Sequence, residues 1–102
     1  MPGPEPSNPL WHAVQINARR RAERYGEFRA AGAAWMLECR DLWDSEDEDA
    51  GVYFVSCADD RAVERRLGEL DPASDRLLGI YDLSKPLEPQ GPGLTAAEWR
   101  SR

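Results

Sequence analysis

Gly51-Val52-Tyr53-Phe54-Val55-Ser56-Cys57 is a nearly unbroken apolar run between an acidic stretch, Asp44 to Asp49, and a charged segment of helical spacing over 59–71. Its short length and β-branched and aromatic content predict a strand. Because apolar residues fall on both of its faces, both need cover. A chain of 102 residues has little material to supply it. The expectation that follows is a partner, with Phe54 at the interface if Tyr53, Val55 and Cys57 share the core face with Trp35 and Leu37.

Upstream, 33–43 alternates, with Trp35, Leu37 and Cys39 on one side and Met36, Glu38 and Arg40 on a wetter one. The two runs predict an antiparallel hairpin whose tip is the acidic stretch. Symmetry about residue 48 would set Cys39 opposite Cys57, within reach of a cross-strand disulfide. In a reducing compartment two buried free thiols are expected instead.

Downstream, Asp59 can cap a helix whose inner stripe is Ala62, Val63, Leu67 and Leu70, and Asp71-Pro72 ends it. Residues 77–83 read as a third strand, reached from the second by a crossover expected to be right-handed.

The N-terminal half carries two readings. Asn8 as cap and Pro9 at the first helical position open a long helix with an apolar arc of Leu10, Trp11, Val14, Ala18, Ala22, Tyr25, Phe28 and Gly32. Ile16 lies off that arc, and Arg21 and Arg29 intrude on it. Alternatively, Leu10, His12, Val14 and Ile16 form one face of a short strand. The long helix is the reading adopted. It gives an α+β fold in the order α-β-β-α-β, with both helices on one face of a small mixed sheet. The strand reading gives the ferredoxin-like order β-α-β-β-α-β, of the dimeric α+β-barrel type.

Residues 1–8, with Pro at 2, 4 and 6, are expected to be disordered, 9–84 to form one domain, and 85–102 to be a Pro/Gly linker and a short docking helix. In that helix Thr95 and Glu98 have capping-box spacing, flanked by Leu94 and Trp99 as a hydrophobic staple. The helix either folds back onto its own domain or reaches a partner.

Thirteen basic against nineteen acidic side chains give a net charge of -6, which disfavours a general nucleic-acid binder and favours a basic surface on any protein partner. Arg19-Arg20-Arg21 and Arg24 are the one basic cluster, and a weak nucleic-acid contact through them is an alternative reading; Glu23 and Glu27 interleave them. No stretch is long and apolar enough for a membrane span, and the N-terminus lacks a signal-peptide pattern, so cytoplasmic residence is expected.

The acidic stretch does not match the alternating ligand positions of a calcium loop, and no Cys-His spacing suits zinc, so neither metal nor cofactor is expected. His12 is the only His; as a strand residue it could pair with Asp41 or Asp82 for proton transfer, which is the basis of an enzymatic alternative. Without a catalytic motif, the expectation is a small acidic, non-enzymatic interaction module of the inhibitor, immunity or adaptor kind, forming a homodimer. Its candidate contact residues are Trp43, Phe54, Trp99, Asp44, Glu46, Asp47, Glu48 and Asp49.

Overall fold

A computed structural model describes residues 9–44, 46–88 and 90–102. The order is helix α1 (Pro9–Ala30), strand β1 (Trp35–Asp41), a 3-10 turn (Leu42–Asp44), strand β2 (Val52–Cys57), helix α2 (Asp60–Glu69), strand β3 (Asp75–Asp82) and helix α3 (Ala96–Arg100). The α+β class and the α-β-β-α-β order are those the sequence predicts. Residues 10–16 are helical, so the ferredoxin-like alternative does not apply. The segment 1–8, with the expected cap at Asn8, lies outside the described residues.

The expected sheet type and helix placement need correction. β1 is the central strand, with β2 and β3 both antiparallel to it, so the sheet is antiparallel throughout rather than mixed. The helices also take opposite faces. Trp35, Leu37, Cys39, Cys57 and Ile80 pack with Val63 of α2 and Trp99 of α3, whereas Met36, Tyr81 and Leu83 pack with Tyr25 of α1. The two-sided apolar character of β2 therefore has its answer within the chain. Tyr53 and Val55 join the first cluster and Phe54 the second.

The hairpin register also differs from a fold about residue 48. Cys39 lies opposite Tyr53 and Cys57 opposite Trp35, and both thiols are free and buried. The chain returns earlier than a fold about residue 48 requires: β1 ends at Asp41, the 3-10 turn takes up Leu42–Asp44, and Ala50 and Gly51, both at positive φ, turn the chain so that Gly51 O already accepts from Asp41 N. A side chain at Gly51 would collide with the Asp41 carbonyl oxygen.

α2 is capped as predicted: the Asp59 carboxylate accepts from Ala62 N at 2.8 Å. The Thr95–Glu98 capping box is also present, with Thr95 N donating to Glu98 Oε1 (2.9 Å) and Glu98 N to Thr95 Oγ1 (3.1 Å). It starts a helix that turns Trp99 inward. The Trp99 ring is 3% exposed and meets Trp35 edge to face, centroids 5.9 Å apart. Arg102 lies over both indoles and donates to Asp60, and Arg100 pairs with Glu64 through two bonds, so α3 is also bound to α2.

Candidate interaction surface

Among the described residues the exposed large apolar side chains are Trp43, Val14 and Leu78. Trp43 is the most exposed, at 81%. It sits in the 3-10 turn, whose backbone is fixed by Trp43 N donating to Asp41 Oδ1 (2.9 Å) and by Leu42 N donating to Ser74 O (2.8 Å). A rigid backbone thus carries an indole into solvent.

The acidic stretch following it is organised in two parts. Asp44, Glu46, Asp47 and Glu48 are exposed. Neighbouring carboxylates act on one another there, and Asp41 before all others raises the Asp44 pKa above its ordinary value. Asp49, in contrast, is drawn into the fold: Arg20 Nη1 donates to its carboxylate at 2.9 Å, and Asn17 Nδ2 donates to its carbonyl at 2.9 Å. The same Arg20 nitrogen reaches Val52 O (2.8 Å), and its guanidinium lies over the Phe54 ring at 5.3 Å. Among the described residues no three His, Cys, Asp or Glu side chains are placed to hold a metal ion.

The structure separates the predicted contact residues. Trp43 and the exposed acids lie together at the hairpin tip. Phe54 is half-buried under Arg20, and Trp99 is inside the core of this domain, against Trp35. His12 is exposed on α1, edge-on to Trp11 at 5.5 Å, and the acid–base pair that a strand at 10–16 would have formed is not made. Nor do the arginines form one phosphate-gripping patch, since Arg20 and Arg21 turn towards the sheet and Arg24 pairs with Glu27.

One constellation went unforeseen. Glu38, only 4% exposed, accepts from Arg21 Nε (2.6 Å) and Nη2 (2.8 Å) and from the Tyr81 hydroxyl (3.2 Å). Hydrogen bonding to Glu38 raises the Arg21 pKa, and burial, then the Glu38 charge, pushes the Tyr81 phenol up to about 12. The network floors a groove beside α1, about 300 Å³ in volume, with Val14 and Leu78 among its walls. Leu78 reaches that face because the β1–β3 register slips by one residue there, a bulge that re-aims the side chain. The sequence signal was Arg21 breaking the apolar arc of α1, with Glu38 on the wetter side of β1 as an available partner of opposite charge. Both carboxylate oxygens of Glu38 are engaged, which is the arrangement of a structural ion pair.

The opposite face holds a second buried set. Burial pushes the Cys39 thiol to about 11, and burial followed by the hydrogen bond to Asp75 raises the Tyr53 phenol to about 12. These raised values favour the neutral forms in the folded state, so the stability they contribute is complete below the unfolded pKa and lost as pH rises through the folded one. Cys39 loses its contribution between about pH 8.5 and 11, and Tyr81 and Tyr53 between about pH 10 and 12. A urea titration series is expected to show stability level to about pH 8.5 and falling steeply by pH 11. Burial raises the Cys57 thiol as well, so Cys39→Ala should reduce the earlier part of that fall and leave the share due to Cys57.

Compared with protein families, with curated proteins and with solved structures, the chain matches none of them.

Proposed function

We propose that this chain is a small, acidic, non-enzymatic interaction module, of the kind found among inhibitors, immunity proteins and adaptors. It engages a basic protein surface through Trp43 and the exposed carboxylates beside it. The observation that carries the reading is the exposure of Trp43 on a turn fixed by Asp41 and Ser74. An indole left in water forgoes roughly 1.5–3 kcal/mol of burial, and a pre-ordered aromatic loses little entropy when it fills a pocket. Asp44, Glu46, Asp47 and Glu48 surround the approach with one sign of charge, which speeds encounter with a basic partner and rejects an acidic one. A cation close to Asp44 would also offset the repulsion that raises its pKa.

Trp43→Ala is expected to leave folding stability within about 0.5 kcal/mol, because the ring contributes little to the core. It should abolish affinity capture of the partner from lysate at low salt. Asp47→Lys with Glu48→Lys should weaken capture while Trp43 remains. Undiminished capture by Trp43→Ala would rule the surface out.

A further inference from the structure

We infer that the outer edge of β2 pairs with the same edge of a second copy, joining two three-stranded sheets into one of six strands about a two-fold axis. Ile80 exchanges its backbone bonds outward with Leu94, so Gly79 and Tyr81 face β1, and the residues opposite them, Glu38 and Met36, aim their backbone groups at β3. Ala34, just before β1, is divided, its N–H donating to Cys57 O and its carbonyl accepting from Leu83 N. The odd-numbered residues of β1 face β2, as the bond from Asp41 N to Gly51 O shows. By the register, Gly51, Tyr53, Val55 and Cys57 face β1, and Val52, Phe54 and Ser56 face outward.

The two edges of the sheet are treated differently. On β3, Leu94 exchanges two backbone bonds with Ile80, at 2.9 and 2.8 Å. The Gln90 side chain takes up Asp82, accepting from its N–H and donating to its carbonyl, both at 2.9 Å. Pro92 runs so close over Gly79 that a Cβ there would collide with its carbonyl oxygen, and the bulge at Leu78 twists the remainder. These are the devices by which a protein keeps an edge from pairing.

β2 has none of them. It contains no Pro, no Lys, no charged side chain and no bulge. Val52 is satisfied, by Arg20 at its carbonyl and Asp49 at its N–H. Phe54 and Ser56 make no outward backbone bond among the described residues. An unpartnered pair of donors and acceptors two residues apart is self-complementary under a two-fold axis, which requires antiparallel strands.

The register is thereby determined. Phe54 of each copy lies opposite Ser56 of the other, giving four backbone hydrogen bonds. The two Val55 side chains meet at the axis in the closely spaced, non-bonded position. Each Phe54 ring gains a small neighbour, and the half-buried Val55 gains cover. The same geometry brings the acidic end of β2 in one copy towards the start of α2 in the other. Arg61 and Arg65 stand there without an ion pair among the described residues.

The surface is separate from Trp43, so Trp43→Ala should leave the dimer unchanged. Sedimentation equilibrium of the full chain should give a concentration-dependent mass approaching twice 11.5 kDa. Amide exchange should slow at Phe54 and Ser56, as concentration rises, by more than at any other residue. Ser56→Lys alters only an exposed side chain and Ser56→Pro only an outward N–H. Each is expected to weaken the dimer by about 10- to 100-fold, the equivalent of losing two hydrogen bonds per pair. A single-chain mass at every concentration, or a dimer undiminished in folded Ser56→Lys, would overturn the inference.

Discussion

Trp99→Ala is expected to cost about 3–5 kcal/mol, a large share of the stability of a domain this size, and to lower Tm by more than about 12 °C. The ring is almost wholly buried, fills the space between Trp35 and Val63, and holds α3 in place together with the Arg100–Glu64 and Arg102–Asp60 pairs. Removing it empties the core and leaves those exposed pairs, worth little alone, to hold a five-residue helix. Urea denaturation followed by circular dichroism checks the size of the loss. The partner substitution sharpens it. Trp99 Nε1 is buried with no hydrogen-bond partner among the described residues, whereas Trp35 Nε1 donates to Asp60 at 2.8 Å. Trp99→Phe keeps an aromatic ring and gives up no hydrogen bond to a described residue, so it should cost less than Trp99→Ala. Trp35→Phe should cost more than Trp99→Phe, because it also gives up a bond to a carboxylate. Equal costs for the two would refute this account of the indole pair.

The second large effect is at Arg21. With Arg21→Ala, Glu38 would keep only the Tyr81 hydroxyl in a site that is nearly closed to water, and stability should fall by about 3–5 kcal/mol. Arg21→Lys keeps the charge without the two-pronged geometry and should fall between. The informative construction is the double change Arg21→Met with Glu38→Leu, which removes both charges. It should restore most of the loss, giving a coupling energy of about 1–3 kcal/mol or more in a double-mutant cycle. Additive effects would mean that Arg21 acts through packing of its stem alone.

The sequence showed much of the fold because its local signals were redundant. Asp59 and Thr95 stand where caps are needed, the register of the hairpin preserves face parity, and the Tyr53 side of β2 is on the core face with Trp35 and Leu37. Which side each helix takes was not legible, since amphipathic spacing orients a helix towards a sheet without saying which face. The α1 arc illustrates why. Ala18, Ala22 and Val14 are exposed, whereas Ala13, Asn17 and Tyr25 are buried. Burying an alanine methyl gains little, whereas a desolvated Glu38 and the carbonyls of Asp49 and Val52 require donors, so Asn17, Arg20 and Arg21 decide the rotation of the helix. Ile16 then finds its place against the acidic loop instead of the sheet. Of the surface, the exposure of Trp43 at the mouth of that loop was legible; the inward turn of Trp99 was one of two open readings, and long-range packing decided it.

The seating of Trp99 against Trp35 has a consequence for the order of events during synthesis. The two rings are 64 positions apart in the chain, and the face of the sheet that carries Trp35, Leu37 and Ile80 stays open at one end until the later ring arrives. While α3 is still inside the ribosome, the earlier part can form α1 and the hairpin but cannot close that face. The domain must therefore complete its fold after Trp99 has emerged, and nascent chains stalled before that point should be cleaved readily by protease within the sheet.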